Sequence, residues 1–288
     1  MSLVDPLTAR DIDKKTEKLL KEIGIKEPPV DLNSIISHLS IYRDYYDLGD
    51  PTLLHEIKHK VHIGSKKVKN IFGKISLQGL WFPEENKILI DKQVPNSKEK
   101  FVTAHEIIHK ILPTHNYLLG DTAETLEYDY QEMIEAEANY GASGLIFLNQ
   151  TFKREAKDYE LTIKSIQNLK KRYQNSMTST FRRFIECNAD IAIAGIISSP
   201  DWEDDLDNVQ NRCRYFIRSN RFKEQFSNLN STHLMNVIEA YTIPRKGGPV
   251  GQTTHPLLDI NNNKHEFIWE SFYNRYDILT LLRYNKAL

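Results

Sequence analysis

One short pattern constrains this chain more than any other, because it occurs twice and has a chemical purpose only on a helix. The pattern is His-Glu-x-x-His, and its two copies span residues 55–59 and 105–109. Residues four apart lie on one face of an α-helix, so the two imidazoles can converge on one zinc ion. The glutamate beside the first histidine can then reach water held at that ion. Because the bare pattern is only moderately specific, its surroundings must decide between the copies.

The second copy has the surroundings of a buried metal helix. His105-Glu106-Ile107-Ile108-His109 is flanked by apolar residues, whereas the first copy lies among lysines whose positive charge disfavours a cation. Downstream of the second copy, residues 132–137 contain three glutamates on a predicted helix rich in small residues, which lets two helices approach closely. A His₂Glu set leaves one coordination position open for water. We therefore predict the metal site at the second copy and a polar helix face at the first.

The second copy and the segment downstream of it resemble the ImmA/IrrE family of zinc peptidases. The matching stretches are Phe-Val-Thr-Ala-His-Glu-Ile-Ile-His at 101–109 and Glu-Ala-Glu-Ala-Asn-Tyr-Gly-Ala at 135–142. The resemblance covers about residues 30–187. It implies His105 and His109 as zinc ligands, Glu135 as the third ligand, Glu106 as the catalytic carboxylate and Asn139 as a residue that orients a ligand. Many relatives have glycine where this chain has Ile108.

The resemblance also implies an activity and a class of partner. It implies a zinc-dependent regulatory endopeptidase that hydrolyses a peptide bond in a protein, a helix-turn-helix transcriptional repressor. The alternative is a non-cleaving, zinc-containing regulator that binds a repressor or DNA. A peptidase needs a further donor to the developing oxyanion. His115, Tyr128, Tyr130 and Tyr140 are candidates, and the sequence does not rank them.

The order of predicted elements indicates an α+β protein, and the resemblance implies that it begins with a zincin-like metallopeptidase domain. This domain, residues 1–150, is expected to be mostly helical with a small sheet. A hairpin is predicted within residues 71–91, and its second strand, residues 88–90, could pair with an extended peptide. The metal helix follows, with Asn96 as the predicted N-cap.

Two further segments complete the predicted architecture. Residues 151–187 are expected to form a helical connector, and residues 188–288 a smaller α+β accessory domain that senses a signal or holds substrate. Within the accessory domain, the aromatic-rich stretch 267–282 is expected to be helical. The stretch 161–187 contains six basic residues, so it could form a helix-turn-helix-like DNA reader. The other interpretation is a pair of packing helices with solvated faces.

The remaining sequence features predict a cytoplasmic protein that does not contact membranes. The 288 residues have a formal net charge of −1, so no global basic field attracts nucleic acid. The N-terminus lacks the basic and apolar segments of a signal peptide, and the apolar run 191–197 is too short to cross a bilayer. The two cysteines, Cys187 and Cys213, are expected to be reduced thiols.

Overall fold

The protein combines helices and sheets in two compact units, Met1–Thr151 and Phe152–Leu288. The computed structural model describes residues 4–47, 78–116, 128–200, 212–242 and 247–288. The mixture of helices and strands confirms the predicted α+β class. The first copy of the metal motif, residues 55–59, lies outside the described residues. The predicted domain borders at 150 and 187 stay predictions.

The first unit packs helices around a three-stranded sheet. In chain order its described elements are α1 (Pro6–Ile23), α2 (Leu32–His38), β1 (Tyr42–Tyr46), β2 (Gly79–Phe82), β3 (Lys87–Asp91), α3 (Asn96–Ile111), α4 (Pro113–Asn116) and α5 (Tyr128–Ile146). The strand order is β1-β3-β2, with β1 parallel and β2 antiparallel to β3. The β2–β3 pair confirms the predicted hairpin over its described part.

The central position of β3 contradicts one prediction. The sequence allowed the strand at residues 88–90 to pair with an extended peptide. The backbone of β3 instead pairs with β1 along one edge and with β2 along the other. A strand paired on both edges has no free row of N–H and C=O groups for a third partner. That prediction is therefore wrong, and the edges of the described sheet are β1 and β2.

The metal helix α3 begins differently from the prediction. Asn96 is its first helical residue rather than its N-cap, and no side chain caps this end. The backbone carbonyl of Pro95 accepts hydrogen bonds from the N–H groups of Lys98 and Glu99, at 2.7 and 3.1 Å. Proline suits this position because its ring fixes an extended entry into the helix. The helix then packs against β2, β3 and α5.

Helix α5 is held against α1 through a partly buried polar contact. The Tyr140 hydroxyl donates to Asp13 Oδ2 at 3.1 Å, and the Asn149 amide donates to Asp13 Oδ1 at 2.6 Å. Both donors lie at or beyond the C-terminal half of α5, so a single carboxylate sets how α1 lies along it. This contact fixes the helix that contributes Glu135.

The second unit is built on a five-stranded antiparallel sheet. Its elements are α6 (Gln150–Asp158, which begins at the border), α7 (Ile163–Tyr173), α8 (Met177–Cys187), β4 (Ile193–Ser198), β5 (Cys213–Arg218), α9 (Asn220–Gln225), α10 (Ser231–Tyr241), β6 (Gly248–Leu258), β7 (Lys264–Tyr273) and β8 (Ile278–Ala287). The strand order is β5-β4-β8-β7-β6. The expected helix at 267–282 is wrong, because this stretch contributes to β7 and β8.

Helices cover both faces of this sheet. On one face, α9 and α10 pack on Ala194 and Ile196 of β4 and on Trp269 of β7. Between those two β4 residues, Gly195 points to the opposite face and lies against Phe181 and Ile185 of α8. The apolar sides of α7 and α8 are therefore buried, as the packing-helix interpretation of residues 161–187 predicts. No helix in the described part of the chain is both long and apolar enough to cross a bilayer.

Candidate metal centre

Three side chains from two helices converge in the first unit. His105 and His109 lie one turn apart on α3, and Glu135 lies on α5. The two Nε2 atoms of the histidines are 3.0 Å apart. Glu135 Oε2 lies 3.1 Å from His105 Nε2, and Oε1 lies 3.7 Å from His109 Nε2. Among the described residues, these three form a group whose ligand atoms all lie within 4.8 Å of one another.

The charges in this cluster favour cation binding. Burial is the largest single effect on His105 and on Glu135 and disfavours the charged form of each, but the hydrogen bond between them and the neighbouring charges together outweigh it. The pKa of His105 is therefore raised and that of Glu135 lowered. Burial, reinforced by the charge of His105, lowers the pKa of His109 to about 3. His109 is consequently neutral at pH 7 and keeps a lone pair for a metal.

The donor set fits a catalytic metal ion. Two imidazole nitrogens and one carboxylate oxygen are the ligands that a His₂Glu zinc site uses. The three come from facing positions on α3 and α5, and they supply three donors rather than the four that close a structural site. The cluster could therefore hold a metal ion and leave a coordination position for a reactant.

Glu106 lies beside the cluster in a dry environment. Its side chain is buried, with 5% of the residue exposed. Burial raises its pKa to about 7; the charge of Glu135 acts in the same direction and that of His105 opposes it. A carboxyl group with a pKa near neutrality is suited to accept and return a proton at physiological pH. Its buried position next to His105 makes Glu106 a candidate for proton transfer at the cluster.

Sequence reasoning missed the residue that makes room for this carboxylate. A Cβ atom at Gly79, at the start of β2, would lie 2.6 Å from Glu106 Oε1 and 2.7 Å from Val102 Cγ1. No side chain fits there without displacing the carboxylate. A glycine inside a predicted strand is a recognised sign of close approach by another group, and that was the available signal.

The other predicted site residues have distinct positions. Asn139 was predicted to orient a ligand, and its Oδ1 lies 3.2 Å from His105 Nδ1, within hydrogen-bonding distance of a predicted ligand. His115 is buried, and its two ring nitrogens contact His109 and Glu137, so it does not face a substrate. The Tyr140 hydroxyl donates to Asp13. The side chains of Tyr128 and Tyr130 lie outside the described residues. No oxyanion donor is thus identified among the candidates.

Comparisons with known proteins identify relatives of this chain. Residues 58–184 match the family model described as an IrrE N-terminal-like domain, and this stretch contains both helices of the cluster. Over 128 residues the chain is 29% identical to the radiation response metalloprotease IrrE of Deinococcus deserti. That alignment covers 44% of this chain and 46% of the relative, so the chain spans about half the length of the curated relative it matches.

A solved structure has a similar fold. The protein described as a Mycobacterium tuberculosis transcriptional regulator matches with a TM-score of 0.54, over 96% of this chain and 88% of that one. The two sequences are 10% identical. At that identity the similarity concerns the fold alone.

Proposed function

We propose, because residues 58–184 of this chain belong to the ImmA/IrrE family, that the protein is a zinc-dependent regulatory endopeptidase. The observation that carries the proposal is the convergence of His105, His109 and Glu135 beside the buried carboxylate of Glu106. A purely structural metal site has no use for a general base held at its edge. The metalloprotease described for Deinococcus deserti supports the same class of activity.

The ligands divide between two helices. His105 and His109 of α3 and Glu135 of α5 would hold the zinc ion, with Asn139 orienting His105 through Nδ1. When bound, zinc supplies Lewis-acid activation of water and of the scissile carbonyl. The neutral state of His109 leaves its lone pair available for this purpose.

Glu106 would carry the proton through the reaction. Its carboxylate takes a proton from the attacking water while the new C–O bond forms. It then delivers that proton to the amide nitrogen as the C–N bond breaks, so the products are a carboxylate and an amine. Because Gly79 of β2 has no side chain, nothing at that position displaces Oε1. The carboxylate can therefore keep the same position for both proton transfers.

The proposed substrate is a helix-turn-helix transcriptional repressor. This step rests on the family resemblance of the two motif stretches and not on the cluster geometry. The non-cleaving alternative, in which the protein binds a repressor or DNA, makes a different prediction. It requires binding without the appearance of peptide fragments.

Replacement of Glu106 by Gln tests the activity. We expect Glu106→Gln to bind one zinc per chain like the wild type, because no ligand is changed. Cleavage of repressors should fall at least about 10²-fold, because the proton carrier is lost. Zinc is measured by elemental analysis, and cleavage by intact-mass spectrometry on helix-turn-helix repressors from the source genome. His109→Ala should lose the zinc.

Two controls make this test specific. Glu99→Gln removes the same charge from the same helix at a residue that contacts Tyr45 rather than the cluster, and it should keep full activity. His59→Ala alters the first motif copy and should keep its zinc. Equal cleavage by the Glu106→Gln variant would remove the proposed role of Glu106. Tight repressor binding by the wild type without fragments would favour the non-cleaving regulator.

A further inference from the structure

A buried chain of hydrogen bonds leads away from the cluster on the far side of His109. His115 Nδ1, on α4, lies 2.9 Å from His109 Nδ1. The opposite nitrogen of the same ring, His115 Nε2, lies 3.1 Å from Glu137 Oε2 on α5. His115 is 3% exposed and Glu137 is 8% exposed. Water therefore has little access to replace either contact.

With a metal ion bound at His109 Nε2, the contacts allow only one consistent placement of the protons. His109 Nε2 faces His105 and Glu135, so this nitrogen must offer its lone pair to a metal. A neutral imidazole carries its single proton on the other nitrogen, which places the proton of His109 on Nδ1. The facing Nδ1 of His115 must then accept it. His115 consequently carries its own proton on Nε2, where the carboxylate of Glu137 accepts it.

The direction of these hydrogen bonds matters because His109 can bind the metal through Nε2 only when that nitrogen carries no proton. If His109 carried its proton on Nε2, the proton would occupy the position that the ion needs. A carboxylate at the far end of the chain penalises that arrangement, because it accepts a hydrogen bond and has no proton to donate. His105 has no such buried chain behind it. Its Nδ1, the nitrogen that faces away from the cluster, contacts the side-chain amide of Asn139, and Asn139 is exposed.

We propose that His115 and Glu137 are positioning residues that hold His109 in its metal-binding tautomer and orientation. The inference rests on the proposed metal site and extends it to a second layer that the motif does not contain. Glu135 and Glu137 lie two positions apart on α5, so they point in different directions. One contacts the ligand nitrogens, and the other contacts the ring behind a ligand.

Metal affinity tests the inference through substitutions at Glu137. Glu137→Met removes the acceptor while keeping the side-chain length, and it should weaken zinc binding about 10- to 100-fold. Glu137→Gln can still present an oxygen to His115, so its loss should be smaller. Glu132→Gln removes a charge from an exposed position of the same helix and should leave affinity unchanged. Affinity is measured by competition with a chromophoric chelator, and the melting temperature of each metal-free variant reports folding.

The order wild type, Glu137→Gln, Glu137→Met in falling affinity, at similar metal-free melting temperatures, would support the proposal. Wild-type affinity in a folded Glu137→Met variant would overturn it and leave the proposed function intact. Failure of the wild type to bind zinc would overturn both. Where Glu137→Met does not fold, imidazole ¹⁵N shifts of the zinc-bound wild type decide. A proton on Nε2 of His115 and on Nδ1 of His109 is expected, and a proton on His115 Nδ1 refutes the chain.

Discussion

At the scale of single residues, the chemistry of the site depends on neighbours as much as on the motif. The motif places Glu106 next to His105 on α3, yet its raised pKa comes first from burial. That burial requires β2 to approach α3 closely, and Gly79 is the residue that permits the approach. On a solvated helix, the glutamate of the same His-Glu-x-x-His motif would have an ordinary pKa of about 4.

A methyl group at Gly79 should therefore damage catalysis more than metal binding. We expect Gly79→Ala to push the Glu106 carboxylate out of position, because the new Cβ would lie 2.6 Å from Oε1. A displacement of about 1 Å in a reacting group can cost about 10²-fold in rate. Overpacking should also lower the free energy of unfolding by about 1–3 kcal/mol. Cleavage rate, zinc content and denaturant unfolding measure the three effects.

Gly144→Ala provides the matched control. A Cβ there would come no closer than 3.7 Å to Asn149, which is ordinary contact. Alanine in a helix interior is favoured over glycine by about 0.5–1 kcal/mol. This variant should be as stable as the wild type or more so, with full activity. A Gly79→Ala variant that is destabilised but cleaves as fast as the wild type once folded would contradict the positioning role of the glycine.

At the scale of elements, the packing of α3 on α5 determines whether the ligands meet. Ile108 is fully buried in this interface, and a Cβ at Gly141 of α5 would lie 2.9 Å from its Cδ1 and Cγ2 atoms. In this chain the isoleucine is accommodated by Gly141 on the facing helix. The two helices can therefore approach closely even though the larger side chain of this pair lies on α3.

A double-mutant cycle tests this complementarity. Gly141→Ala should lower the free energy of unfolding by about 1–3 kcal/mol through overpacking. Ile108→Ala should lower it by about 2–5 kcal/mol by leaving a cavity. The double variant should be more stable than the sum of the single losses predicts, because the new methyl group occupies part of the new cavity. Denaturant unfolding measures all three; strict additivity would show that the two residues do not share the interface.

The element scale also shows what the sequence could predict. The metal helix and the hairpin before it were predictable, because their signals are local: residues four apart on one helix face, and two apolar runs around a polar turn. The stretch 267–282 was predicted wrongly as a helix. In β7 the buried residues Phe267, Trp269 and Ser271 alternate with partly exposed ones, which is the period of a strand. In β8 residues 278–282 are all buried, and a short run that is apolar except for Thr280 does not distinguish a strand from a helix.

The site follows the same rule. His105, Glu106 and His109 lie on one helix and were found from their spacing together with the apolar residues around them. Glu135 needed the family resemblance, because three glutamates of one segment were equally available to pattern reasoning. Gly79 and Glu137 reach the site only through tertiary packing, which no local spacing encodes.

At the scale of the whole molecule, the candidate metal cluster and the five-stranded sheet belong to different compact units. All three members of the cluster lie within Met1–Thr151. The five-stranded sheet lies within Phe152–Leu288 and has its own buried cluster, centred on Trp269, Phe222 and Phe267. A ligand that binds only the folded state stabilises the structure that forms its site. The free energy of metal binding should therefore be concentrated in the first unit.

Hydrogen exchange measured peptide by peptide can test this separation. At a free zinc concentration about 100 times its Kd, binding contributes about 2.7 kcal/mol to the folded state of the site. Amides of α3 and α5 that exchange by unfolding of the first unit should then slow about 100-fold, because exchange follows the free energy of opening. Amides of β7 and β8 should exchange at the same rate with and without zinc. The His109→Ala variant should show no change in either unit, which excludes non-specific effects of the ion. Equal slowing in β7 and β8 would mean that the two units open together, so that metal occupancy in one stabilises the other.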